Sequence, residues 1–282
     1  MSTNNSYQTA PNLTIQAEDG TVFSYRELGE HRGLPVVLFV HLAGNLDNWD
    51  PRVVDGVAKD HWVIAFDNKG VGLSSGTVPD SIEQMARDAL SFIHALGLTK
   101  IDVLSFSMGA MIAQELVALE PQLVRKLILA GTGPRGGHGI ENVTKISDWD
   151  FARSVVTFKD VKTYLFFTRT KNGKQKAKEF LIRLKERQEN RDKSISLKAY
   201  RTQLKAIHSW GIAKPADLSR IKQPTLIANG DNDRMVPTPN SYDLEKRIPD
   251  SQLIIYPDAG HGGIFQNYDK FVKSATTFLD QD

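Results

Sequence analysis

The chain gathers its apolar residues into short runs at 36–40, 62–66, 101–106, 127–130, 225–228 and 253–256. Runs of this length, without polar alternation, suit strands buried on both faces of a parallel sheet. Between several of them the spacing becomes helical. Ile82, Met85, Ala86, Ala89, Ile93 and Leu96 recur every three to four positions, with Ser81 and Gln84 as a capping-box pattern before them and Gly97 after. Residues 108–119 predict a second helix that stops before Pro121, and 240–247 and 266–279 predict two more. Residues 13–28 read as two short strands around Asp19-Gly20, a hairpin turn signal. The expected class is α/β: a mostly parallel sheet with an antiparallel N-terminal hairpin and helices on both faces.

The alternation stops in the middle of the chain. Ala177, Phe180, Leu181 and Leu184 form one helical stripe, and Leu197, Tyr200, Leu204 and Ile207 form another, with no strand between them. Residues 135–218 are therefore expected to be a helical cap or lid inserted after the sixth strand, dividing a core of 13–134 and 219–282. The polar residues 1–12 are expected to be a flexible N-terminus.

Charge marks the same segment. The chain carries a net +2, yet residues 135–223 hold 21 Lys and Arg against 9 Asp and Glu. This excess suits a solvated helical face, or a field that draws anionic substrates or partners. No nucleic-acid-binding motif accompanies it, so nucleic acid is not an expected partner. The absence of cysteine excludes disulfides, thiolate nucleophiles and Cys-ligated zinc, and fits a reducing compartment. No secretory h-region and no apolar run of roughly 20 residues is visible, so the expectation is a cytoplasmic protein without a membrane span.

Candidate chemistry begins at Ser105-Phe106-Ser107-Met108-Gly109, where an apolar run meets a helical one. A serine flanked two residues away by small residues matches a nucleophile elbow, a turn too tight for bulky side chains. The helix that follows aims free N–H groups at the same point. In such folds the acid and then the histidine follow the serine along the chain. His138, His208 and His261 follow Ser107, and His261 lies in a glycine-rich loop after the 253–256 run, where such sheets place catalytic groups. Between them, the loop 229–237 offers two carboxylates, Asp231 and Asp233, either of which could instead cap the turn.

From about residue 14 to 279 the chain resembles the α/β-hydrolase superfamily. The elbow is one carrier of this resemblance. Others are Gly230-Asp231-Asn232-Asp233-Arg234-Met235-Val236-Pro237, Ala259-Gly260-His261-Gly262, and Asp67-Asn68-Lys69-Gly70-Val71-Gly72-Leu73-Ser74, with Lys69 at the usual arginine. The resemblance implies a catalytic triad of Ser107, Asp233 and His261. It implies an oxyanion hole made by the N–H of Met108 and of Leu42 or Ala43, Leu42 being preferred. There the chain departs from the family's usual His-Gly-x, since Leu42 stands at the glycine after His41.

The expected activity is hydrolysis of a small-molecule carboxylic ester or lactone through an acyl-enzyme, with no metal and no cofactor. Aromatic residues of the inserted segment, Trp149, Phe166 and Trp210 among them, are candidates for an apolar acyl pocket. A homodimer is left open. Two alternatives stay beside this reading: a cofactor-free perhydrolase (haloperoxidase-like) on the same triad, and a non-catalytic ligand-binding protein on a hydrolase scaffold. The Gly131-Thr132-Gly133-Pro134-Arg135-Gly136 sequence spells a dinucleotide motif, but Pro134 and the following glycines do not open the helix that motif needs.

Overall fold

A computed structural model describes residues 6–281. One eight-stranded sheet runs in the order β1 (Leu13–Gln16), β2 (Val22–Leu28), β4 (Val63–Phe66), β3 (Val36–Phe39), β5 (Ile101–Phe106), β6 (Val124–Ala130), β7 (Thr225–Gly230), β8 (Ser251–Tyr256). The β1–β2 and β2–β4 pairings are antiparallel, and all later ones are parallel.

Alternate residues of the central strands feed two cores, as period-2 side-chain direction requires. Val36, Leu38, Val63, Ala65 and Leu104 pack with α1 (Pro51–Ala58) and with α10 (Tyr268–Asp280). Val37, Phe39, Ile64, Phe66 and Val103 pack with α2 (Ile82–Ala95), α3 (Met108–Leu119) and α8 (Pro239–Arg247). The α2 start follows the sequence signal: Ser81 Oγ accepts the Gln84 N–H at 3.2 Å, an N-cap contact of about 1 kcal/mol.

Four helices lie between β6 and β7: α4 (Val143–Thr157), α5 (Lys162–Leu165), α6 (Lys171–Arg183) and α7 (Leu197–Ile212). A further turn, α9 (Gly263–Gln266), precedes α10. The α4 helix turns Val143, Ser147, Asp150 and Ser154 inward and leaves Trp149, Phe151, Val155 and Val156 exposed. Three of its four inward residues are polar while most of its apolar ones face outward, which is why no apolar stripe marks it. Among the described residues no helix is long and apolar enough to cross a membrane.

Some of the segment's positive charge meets carboxylates outside it. Arg183 reaches the fully buried Asp50 at 2.7 Å, Arg191 lies 3.5 Å from Asp47, and Lys205 lies 2.6 Å from Asp80. Asp50 also caps α1 by accepting the Arg52 N–H. Part of the charge asymmetry of the sequence is therefore a docking pattern.

Residues 6–12, expected to be flexible, are instead packed. Tyr7 is buried and donates its hydroxyl to the Leu46 carbonyl at 2.6 Å, while Arg187 donates to the carbonyls of Gln8 and Ala10 at 2.9 and 2.8 Å. Polar composition suggested fraying, but this backbone is satisfied by one arginine of the inserted segment. The rest of that expectation, residues 1–5, lies outside the described residues.

One junction between the segment and the core joins like charges. The Leu46 N–H is shared by Asp67 Oδ1 at 2.9 Å and Asp192 Oδ2 at 3.3 Å. Burial, and then the neighbouring Asp192, hold the Asp67 carboxyl well above the usual range. A raised folded-state value costs nothing at low pH, where both states are protonated. The cost appears as pH rises above the ordinary carboxyl value of about 3.9 and grows until the folded value is passed. Asp192→Asn keeps an oxygen for the Lys193 N–H and offers an N–H to Asp67. It is expected to raise the melting temperature more at pH 8 than at pH 5. Equal gains at the two pH values would remove the like-charge explanation.

Candidate active site

Ser107 sits between β5 and α3 with φ 58° and ψ −119°, a strained conformation for a residue with a Cβ. The turn tolerates only minimal bulk two residues on. A Cβ at Gly109 would lie 2.2 Å from the Phe39 carbonyl oxygen. On the other side Ser105 fits where glycine is usual, because its hydroxyl donates to the Ile128 carbonyl at 2.6 Å.

Loops after β7 and β8 bring two further groups to this turn. His261 Nε2 lies 2.8 Å from Ser107 Oγ, and His261 Nδ1 lies 2.8 Å from Asp233 Oδ2. A carboxylate only accepts, so Nδ1 carries the proton and Nε2 is free to accept from the serine hydroxyl. Asp233 Oδ1 accepts the backbone N–H groups of Met235 and Val236 at 2.8 and 3.0 Å, which fixes the plane of the carboxyl. All three side chains are buried. Asp231, the other candidate, points elsewhere: its Oδ1 accepts the Ala259 N–H at 3.2 Å and so ties the acid loop to the histidine loop. The other histidines after Ser107 are exposed, His138 ahead of α4 and His208 on α7.

A cavity of about 30 Å³ adjoins Ser107 and His261, room for about one water molecule. The segment between β6 and β7 closes it with Val143, Leu165, Phe166 and Ile207, and the core contributes Leu42, Met111, Met235 and Val236. The segment also holds the histidine loop directly, since the Phe166 carbonyl accepts the Gly262 N–H at 2.8 Å. His41 completes the wall. Its Nδ1 donates to the Leu42 carbonyl at 2.7 Å, and burial, followed by the charge of Lys162, pushes its pKa down to about 3. It is therefore neutral at physiological pH.

Of the residues expected at the site, Ser107, His261, Asp233, Leu42 and Phe166 converge here, with Met108 opening α3 beside them. Ala43 does not serve as a free donor. Its N–H is committed to Gln203 Oε1 at 2.8 Å, whereas the Leu42 N–H has no acceptor among the described residues. Trp149 and Trp210 are also away from the cavity. Trp149 is 71% exposed, because it falls on the face of α4 opposite the inward stripe. Trp210 is buried at the foot of α7 and borders a different cavity with Gln114 and Arg135. An aromatic side chain in the segment was too weak a criterion, since helical phase decides which one faces inward. Val143 and Gln203 went unnoticed. Ile207 was visible only as part of an apolar stripe.

The comparisons with known proteins agree with this architecture. A family model described as the alpha/beta hydrolase fold matches residues 35–268. A solved alpha/beta hydrolase fold protein from Chitinophaga pinensis is 39% identical, covering 99% of this chain and 100% of its own, with a TM-score of 0.93. A 2-hydroxy-6-oxo-6-(2'-aminophenyl)hexa-2,4-dienoic acid hydrolase from Metapseudomonas resinovorans is 26% identical over 93% of this chain and 89% of its own. An esterase from Exiguobacterium antarcticum, 21% identical with a TM-score of 0.74 and coverages of 96% and 100%, shares the fold.

Proposed function

The chain belongs to the α/β-hydrolase family, and from that premise we propose that it is a serine hydrolase of small, uncharged carboxylic esters or lactones. The observation that carries the reading is the hydrogen-bonded series from Ser107 Oγ through His261 to Asp233, with both contacts at 2.8 Å. His261 Nε2 takes the serine proton as Oγ attacks the carbonyl carbon. The N–H groups of Leu42 and Met108 receive the oxyanion, each donor contributing about 2.7–4 kcal/mol. The tetrahedral intermediate collapses, and the leaving alcohol departs with the proton from His261. Water, deprotonated by the same nitrogen, then releases the acid. Residues 135–218 serve as the lid over this site.

The cavity supports the restriction on substrate. No Lys or Arg is among its lining residues, and His41 is neutral, so nothing there compensates the desolvation of a substrate carboxylate. The charged dienoic acid of the Metapseudomonas relative is therefore not the preferred substrate. The narrow cavity favours the shortest acyl groups, which need the least displacement of Leu165, Phe166 and Ile207. On nitrophenyl esters, kcat/KM is expected to be highest for acetyl or propionyl and to fall by about tenfold or more for each methylene beyond what the pocket holds, at about 1–3 kcal/mol apiece. Ile207→Ala is expected to move the optimum to longer chains. A fluorophosphonate should label Ser107 and block turnover. A parent enzyme that prefers octanoyl would contradict the short-acyl assignment, and absence of labelling would contradict the nucleophile.

A further inference from the structure

The peptide group between Leu42 and Ala43 is held at both ends. Its carbonyl accepts the His41 Nδ1–H at 2.7 Å, and its N–H donates to Gln203 Oε1 at 2.8 Å. The first grip comes from the core. The second comes from α7, in the segment between β6 and β7. Ala43 stands at φ 60°, a left-handed conformation that persists in a non-glycine residue only where its surroundings enforce it. Turning this peptide over would remove the Ala43 N–H from Gln203 and swing the Leu42 carbonyl off His41. The Leu42 N–H, two bonds from the held carbonyl carbon, is anchored through the same peptide.

Gln203 is fully buried, and its Nε2 has no hydrogen-bond partner. Burying an unpaired amide N–H is costly, and an apolar side chain of the same length would avoid that cost. Only the acceptor half of this side chain has a partner, and that partner is the oxyanion loop. Ile207, one helical turn farther along α7, lines the cavity beside Ser107. The same helix thus supplies a wall of the cavity and a clamp on the loop.

We infer that Gln203 is a positioning residue. Through Oε1 it holds the Leu42–Ala43 peptide in the orientation that leaves the Leu42 N–H directed at the developing oxyanion. The oxyanion hole is then complete only when α7 is docked on the core, so an open lid leaves Ser107 without full stabilisation of the intermediate. This inference rests on the serine-hydrolase reading and adds to it a residue outside the triad.

Two variants separate the acceptor from the shape. Gln203→Met removes the acceptor at similar length, and Gln203→Glu keeps one, as the protonated carboxyl that a buried position without a cationic partner favours. On an acetyl ester, Gln203→Met is expected to lower kcat by about 10- to 100-fold with KM within about twofold, less than outright loss of an oxyanion donor. Gln203→Glu is expected to retain most of the parental kcat. Affinity for a trifluoromethyl ketone, which forms an oxyanion adduct on the serine, should fall with kcat in the Met variant. Parental kcat in Gln203→Met, a loss confined to KM, or equal damage in both variants would overturn the inference. Amide exchange at residue 43 of the unmodified protein gives a readout that needs no variant to fold. Slow exchange is expected, and exchange as fast as in exposed loops would overturn the clamp. Ser107→Ala measured alongside keeps the two ideas apart. An active Ser107→Ala protein ends the serine-hydrolase reading and this inference with it. An inactive one beside a fully active Gln203→Met ends only the role of Gln203.

Discussion

Ser107→Ala is expected to reduce kcat on acetyl esters by about 10⁵-fold or more, to the level left by binding and oxyanion stabilisation alone. The size of the effect follows from the geometry. His261 Nε2 has its hydrogen-bonding partner at Ser107 Oγ, 2.8 Å away. Without that oxygen no acyl-enzyme can form, and the neighbouring N–H donors face a carbonyl that nothing attacks. The substitution removes one buried oxygen from a turn that already favours small residues, so the melting temperature should move by only a few degrees, roughly the shift expected for 1 kcal/mol or less. A variant that folds like the parent and hydrolyses esters at the parental rate would dismiss the serine mechanism. Fluorophosphonate labelling should be lost in parallel.

Asp233→Asn is expected to lower kcat by about 10⁴-fold while leaving KM and the fold nearly unchanged. Asp233 Oδ1 is bound by two backbone donors, the N–H groups of Met235 and Val236. In the asparagine variant the side-chain oxygen must stay there, because an NH₂ group placed against two N–H groups would leave all of them unsatisfied. The NH₂ group therefore takes the place of Oδ2 and donates to His261 Nδ1. That nitrogen must give up its proton, and the proton moves to Nε2. The imidazole then meets Ser107 with a donor instead of an acceptor and cannot remove its proton. Asp231→Asn is the matched control. Asp231 Oδ1 accepts from the Ala259 backbone and does not touch the ring, so its loss should change kcat far less. Similar losses in the two variants would reverse the assignment of the acid.

Much of the architecture was legible before any coordinates. Parallel strands buried on both faces must be apolar throughout, so the runs at 36–40, 101–106 and 225–228 stood out, and β3, β5 and β7 cover most of each. The α2 helix was legible for a similar reason: Ile82, Met85, Ala86, Ala89 and Ile93 all lie inside, on one face. The α4 helix was not, because its inward positions include Ser147, Asp150 and Ser154 while its aromatic residues face outward. Charge was misleading in the same segment. A stretch rich in Lys and Arg reads as solvated, whereas Arg183 and Arg187 are buried against Asp50 and the N-terminal backbone.

The chain order of Ser107, Asp233 and His261, each next to residues that shape a turn or loop at a strand end, is a local property and is written directly in the sequence. Backbone sterics and burial at each position impose residue types that can be recognised one at a time. Which N–H remains free in the loop after β3, which aromatic side chain reaches the cavity, and how tightly the inserted helices grip the core are matters of another kind. Each depends on the distance and phase between elements far apart along the chain. Ala43 and Gln203 are separated by 160 positions, and no local pattern at either end specifies the other. Only packing brings them together, because a hydrogen bond depends on a few tenths of an ångström, while residue type at one position constrains only its own surroundings.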